Sequence, residues 1–167
     1  VRDARIAQLY EGTNGIQALD LVGRKLAANG GRAVRAFFAE VDDFNDKHKD
    51  DETIGEFMPS LGAALGHLQQ ATMWFMQNAM QKPENAGAGA YDYMTLFGLV
   101  ATGYMWVRMA KVASTKLADG TGDPDFYRNK LITARFYMER MLPDTESLLK
   151  RVESGADTVM ALDAEAF

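Results

Sequence analysis

Apolar residues recur at steps of three and four along most of this chain. No stretch alternates apolar and polar positions as a half-buried strand does, so the pattern predicts an almost wholly helical protein. Ile16, Leu19, Val22 and Leu26 predict the buried stripe of a first helix, from Thr13 or Asn14 to about Asn29. Asn14 and Gln17 are three apart and match a capping box, in which each side chain satisfies an orphan amide of the other. Asn29-Gly30-Gly31 closes the helix, because Asn and Gly accept the left-handed conformation at a helix C-terminus. Val34, Phe37, Phe38, Val41 and Phe44 predict a second helix from Gly31 to His48. Leu61, Leu65, Leu68, Thr72, Phe75 and Ala79 form one stripe of a third, over roughly residues 54 to 82. Pro59 suits its first turn, where a missing N–H costs nothing. Gly62 and Gly66, four apart, are expected to let a neighbouring helix approach.

Pro83 to Gly89 reads as a loop. A fourth helix follows from about Ala90 to Leu117. Phe97, Val100, Tyr104 and Val107 form its stripe, and Leu96, Leu99 and Gly103 widen it. A helix this apolar nearly all round is expected at the centre, touched on several sides. Asp119 to Pro124 is a second loop. The fifth helix starts near Pro124 or Asp125, with Tyr127, Leu131, Ala134, Met138 and Met141 as its stripe. Pro143 is expected to kink or break it, since proline lacks the N–H and clashes with the carbonyl four residues back. Helix resumes through Leu148, Leu149 and Val152 and ends at Ser154-Gly155. The last residues, 156 to 167, read either as a tail packed on another surface or as a disordered end. Long helices and short loops imply an all-α antiparallel bundle of about four long helices, preceded by one further helix.

Composition narrows the class. A length of 167 residues allows one domain, or one domain with an appendage. The net charge of −5 argues against a nucleic-acid-binding surface. The absence of cysteine removes disulfides, thiolate metal sites and a thiol nucleophile. No secretory leader is visible, and a cytoplasmic protein is expected. The uncharged stretch Tyr93 to Val107 falls short of the roughly 20 apolar residues of a membrane span. Glu40, Asp42, Asp43, Asp46, Asp50, Asp51, Glu52 and Glu56 crowd one window, relieved mainly by Lys47 and Lys49. It reads as an acidic binding surface or as a solvated face with an exposed turn.

Few residues offer chemistry. His48 and His67 are the two histidines. A di-iron bundle needs Glu-x-x-His pairs, but Asn45 and Ala64 precede them, so no metal site is expected. His67 reads as a core or interface histidine. Met73, Met76, Met80, Met105, Met109, Met138 and Met141, with Trp74 and Trp106, read as a ligand cavity or, with more weight, as core packing or a domain contact. The chemically interesting stretch is Tyr10-Glu11-Gly12-Thr13-Asn14-Gly15-Ile16-Gln17. It sets a carboxylate on a glycine-containing turn just before a helix start, where free amides favour negative groups. The plainer reading is a turn with a good helix cap.

The order Arg2-Asp3-Ala4-Arg5-Ile6-Ala7-Gln8-Leu9-Tyr10-Glu11-Gly12-Thr13 resembles the segment that carries the catalytic glutamate in acyl-CoA dehydrogenases. Farther on, Tyr91 to Trp106 and Ala134-Arg135-Phe136-Tyr137-Met138 before Met141-Leu142-Pro143 resemble the extra C-terminal helical domain of a large bacterial branch of that family. The resemblance implies that residues 1–29 end a dehydrogenase domain and that residues 30–167 are the appended bundle. It implies that Glu11 is the base that takes the α-proton of an acyl-CoA, while the β-hydride passes to FAD. It implies that the Glu11 backbone N–H helps hold the thioester oxygen. It places Gly12 against substrate and Thr13, Asn14, Gly15 and Gln17 against FAD. The parent enzyme would act on acyl-CoA, pass electrons to an electron-transfer flavoprotein and form a homo-oligomer. This stretch of chain alone is expected to bind no flavin and to be inactive. A purely structural or oligomerisation role for the bundle is the alternative.

Overall fold

A computed structural model describes residues 5, 12–79 and 81–166, and among them there is no strand. The centre is a helix of 35 residues, α4 (Glu84–Ala118), about 50 Å long at 1.5 Å per residue. It packs against a short N-terminal helix, α1 (Asn14–Asp20), and against α3 (Met58–Asn78), α5 (Pro124–Arg140) and α6 (Asp144–Glu153). α2 (Arg32–His48) lies against α3. Buried residues run the length of α4, from Asn85 through Tyr93, Leu96, Val100 and Val107 to Ala113. The expected central helix is therefore present. α3 carries no charged side chain, but no described helix is long and apolar enough to cross a membrane.

α4 begins six residues before the expected start, so Glu84 to Gly89 is helix rather than loop. Glycines cost helix stability relative to alanine, and here tertiary packing compensates. A Cβ on Gly89 would meet the Phe75 ring at 2.9 Å and the Val152 backbone at 3.6 Å. The buried Asn85 amide donates to Asn78 O at 3.4 Å, and its Oδ1 accepts from Ala156 N at 3.0 Å. One side chain thus joins the ends of α3, α4 and α6.

The α3 stripe Leu61, Leu65, Leu68, Thr72 and Phe75 is buried as expected, and Pro59 sits in its first turn. An aromatic series crosses the core from Trp74 through Phe75, Tyr93 and Phe97 to Phe37, at centroid separations of 5.4, 5.3, 6.2 and 5.1 Å. Tyr93 is fully buried. The Thr72 hydroxyl donates to Leu68 O at 2.8 Å, so the Tyr93 hydroxyl is the donor in the 2.8 Å bond to Thr72 Oγ1. Burial pushes the Tyr93 phenol up to about 12. Of the two α3 glycines, Gly62 faces the Asn45 amide of α2, where a Cβ would stand 2.9 Å away, and Gly66 faces open space.

The acidic window is largely the solvated face expected of it: seven of its eight carboxylates are exposed, and Asp51 alone is half-buried. Four of its members tie α2 and the α2–α3 turn to the rest of the bundle. Glu40 accepts from the Tyr104 hydroxyl at 2.9 Å, and Asp42 from Gln69 at 3.0 Å. Glu56 pairs with Arg135 of α5 through two bonds of 3.0 and 2.6 Å. Asp51 Oδ1 accepts from Thr53 N, Thr53 Oγ1 and Ile54 N, while Oδ2 faces Lys111 Nζ at 2.5 Å and His48 Nδ1 at 3.3 Å. The Lys111 ammonium, followed by the Thr53 bonds, holds the Asp51 carboxyl well below the usual range.

α5 and α6 follow the sequence closely. Asp123 caps α5 by accepting from Asp125 N and Phe126 N. The helix stops at Arg140, and α6 begins just past Pro143. Leu142, not the predicted Met141, fills the core there, and a Cβ on Gly103 would touch it at 3.1 Å. Beyond Gly155 (φ 65°), Ala156 is buried and Asp157 pairs with Lys82. The following Val159, Met160 and Leu162 are exposed.

Candidate functional site

The expected site residues lie at the start of α1. Glu11 is outside the described residues. Gly12 (φ 83°) and Thr13 (φ 57°) are both left-handed, a turn that glycine adopts freely and threonine rarely. The Thr13 hydroxyl donates to Gly12 O at 2.6 Å, and Gln17 N donates to Thr13 O at 3.0 Å, the first bond of the helix. Thr13 therefore occupies the cap position expected of Asn14, and its side chain makes no capping bond, so the helix does not start on the expected capping box. Thr13, Gly15 and Gln17 are exposed, while Gly12 and Asn14 are half-buried. The stretch brings together a hydroxyl, two carboxamides and backbone amides, with no charged side chain from Gly12 to Leu19.

The helix phase differs from the periodic expectation. Ile16 and Leu19 are 66% and 47% exposed, and Ala18, Val22 and Leu26 are the buried line. These three are spaced by four residues. In an unbroken α-helix such a line drifts around the axis. Here residues Leu21–Lys25 form a π turn, closed by Leu26 N to Leu21 O at 2.8 Å, whose wider winding brings Leu26 back onto the face that meets α4. Asp20 pairs with both Arg24 (2.6 Å) and Lys25 (3.1 Å), the latter five residues on, as the wider turn allows. The two cations, Arg24 first, lower the Asp20 carboxyl to about 2. Beyond it, three successive left-handed residues, Asn29, Gly30 and Gly31, reverse the chain into α2.

Away from this edge, His67 is an interface histidine. Its Nδ1 lies 2.9 Å from Thr145 Oγ1, a buried hydroxyl that donates to Leu142 O at 2.7 Å. Thr145 has spent its only proton, so His67 Nδ1 carries the hydrogen of this bond. Sequence reading missed Thr145, whose only signal is its place in the first turn after Pro143. Among the described residues no group of three or more possible metal ligands comes together. Of the methionines named above, residue 80 apart, only Met138 is buried; Met73, Met76, Met105, Met109 and Met141 lie on the surface. The core reading thus fails for those five.

The comparisons with known proteins agree with one another. Residues 37–163 match the family model described as acetyl-CoA dehydrogenase C-terminal like. The 3-methylmercaptopropionyl-CoA dehydrogenase of Ruegeria pomeroyi is 32% identical over 167 residues, covering 95% of this chain and 27% of its own length. The broad-specificity linear acyl-CoA dehydrogenase FadE5 of Mycobacterium tuberculosis is 30% identical over 175 residues, covering 100% of this chain and 29% of its own. A butyryl-CoA dehydrogenase of Syntrophomonas wolfei is 30% identical, covering 93% of this chain and 26% of its own length. The chain thus spans less than a third of the relatives it matches. The family model covers most of the helical bundle, and the chain belongs to the acetyl-CoA dehydrogenase C-terminal-like family of acyl-CoA dehydrogenases.

Proposed function

We propose that this chain is the C-terminal part of an FAD-dependent acyl-CoA dehydrogenase and that Glu11 is the catalytic base of the whole enzyme. The observation that carries the reading is the residue order Tyr10 to Gln17 on the N-terminal side of residues 37–163, which match the family. The Glu11 carboxylate takes the α-proton of an acyl-CoA thioester, and desolvation by the bound acyl chain raises its pKa towards neutrality. The Glu11 N–H donates to the thioester oxygen as negative charge builds there. Gly12, with no side chain, lets substrate approach. Bound FAD supplies the hydride acceptor. The neutral hydrogen-bonding groups at Thr13, Asn14, Gly15 and Gln17 fit the polar parts of such a cofactor. The parent is read as a cytoplasmic homo-oligomer that passes electrons to an electron-transfer flavoprotein.

In the intact enzyme, Glu11→Gln is expected to lower kcat by roughly 10²–10⁴-fold, the range typical of a lost general base, with flavin content unchanged. Unchanged turnover would remove Glu11 from the mechanism. The 167-residue chain alone is expected to show neither flavin absorbance nor turnover with acyl-CoA.

A second reading concerns residues 30–167 as a structural or interaction module behind a dehydrogenase edge of residues 1–29. The apolar side chains on outer faces, Met73 and Met76 of α3 and Ile132 and Phe136 of α5, favour it. Deleting the region after Asn29 from the intact enzyme separates the roles. Loss of assembly with retained chemistry supports a scaffold, whereas altered chain-length preference without loss of assembly supports a pocket lid.

A further inference from the structure

A surface groove between the C-terminal half of α4 and the start of α5 has a volume of about 350 Å³, near the lower end of the ~300–1,000 Å³ range of small-molecule sites. Its apolar lining includes Met105, Met109, Val112 and Phe126, all exposed. Two cations, Arg108 from α4 and Lys130 from α5, line the same groove, and no carboxylate does. Lys130 Nζ is held over the rings of Phe126 and Trp106, at 5.2 and 5.5 Å, and no carboxylate among the described residues lies within 4.0 Å of it. Arg108 stacks over Tyr104 at 5.4 Å and meets Glu40 only at 4.0 Å, the outer limit of an ion pair. In a chain of net charge −5, two cations facing one apolar groove invert the local sign. An anionic head seated in the groove is attracted by both. Methionine walls adapt to flexible apolar chains.

We propose that this groove binds a single-chain amphiphile with an anionic head, such as an alkyl carboxylate. Its chain lies along Met105, Met109 and Val112, and its head sits between Arg108 and Lys130. The site lies in the bundle and does not depend on the assignment of Glu11.

The test is a titration of the 167-residue chain with sodium decanoate below its micelle concentration, read from methionine methyl NMR shifts. Met105 and Met109 should shift saturably, and added salt should weaken binding. Lys130→Glu, with its helical circular dichroism intact, should weaken binding about tenfold, as loss of one charge-assisted contact implies. Should that variant fail to fold, Lys130→Gln and Met109→Ala carry the same expectation in smaller measure. Decyltrimethylammonium should give no saturable shift at these methyls. The proposal is overturned by an absent shift, by an equal response to the cationic amphiphile, or by groove shifts that follow protein concentration alone, which would place a second copy of the chain there.

Discussion

α4 and α1 both carry apolar residues at helical spacing, yet α4 is packed on several sides and α1 is half-covered. α4 buries residues along its whole length because four other helices of the same chain pack on it, while Tyr91, Met105, Met109 and Val112 mark its outer face. α1 and the π turn that follows it bury Ala18, Val22 and Leu26 and leave Ile16 and Leu19 in solvent. Periodicity reports that a residue prefers burial; it does not report whether the covering surface belongs to the same stretch of chain. In α1, next to the candidate site, Ile16 and Leu19 go uncovered and only Ala18 is buried.

This contrast can be broken most forcefully inside α4. Tyr93→Ala removes the middle of the aromatic series and leaves a cavity, and is expected to cost about 3–5 kcal/mol by chemical denaturation. Tyr93→Phe keeps the ring and should cost about 1 kcal/mol, since Thr72 retains its bond to Leu68 O. A loss below about 1 kcal/mol for the alanine variant would mean that α4 is not the organising core.

Next in size is the polar clamp on α4. Asp51→Ala removes the acceptor of Lys111, Thr53 and Ile54 and should cost about 2 kcal/mol near neutral pH. The Asp51 carboxyl has its pKa lowered by folding, so its contribution is present above the unfolded value, about 3.9, and is lost as pH falls towards the lower folded value. Acid titration of stability should show a fall below about pH 4 that is shallower in the variant. Equal acid sensitivity in both proteins would assign the fall to other carboxylates.

The smallest effects belong to the outer face of α1. Ile16→Ala and Leu19→Ala should each change the stability of this chain by less than about 0.5 kcal/mol, as exposed positions do. Val22→Ala, on the inner face, should cost about 1–2 kcal/mol. Equal losses at Leu19 and Val22 would erase the distinction between the two faces.

Much of the architecture was legible because local chemistry marks it. The left-handed glycines before α2 and after α6, the Asp123 cap and the break at Pro143 all stand where their residue types place them. What escaped depends on distant partners. Gly87 and Gly89 read as loop because nothing local shows Phe75 and Val152 closing on that turn. The cross-bundle bonds of the acidic window escaped because its partners Tyr104, Lys111 and Arg135 are 60 or more residues away. The face of α1 was misjudged because a π turn leaves no simple period. At the site, residue order pointed to chemistry, while the left-handed turn at Gly12 and Thr13 and the uncapped helix start required coordinates.

The Asn85 side chain bears on how the bundle assembles over time. Its bond to Ala156 spans 71 residues, whereas the α3–α4 and α5–α6 turns close over short separations. Loop-closure entropy makes the short pairs quick to form and the long one slow. α3 with α4 can dock before α6 arrives, and Ala156 reaches Asn85 only once α5 and α6 have folded back along α4. Docking of α6 at the start of α4 is then expected among the late steps of assembly, as is that of α1, with the buried amide of Asn85 awaiting Ala156 until α6 arrives.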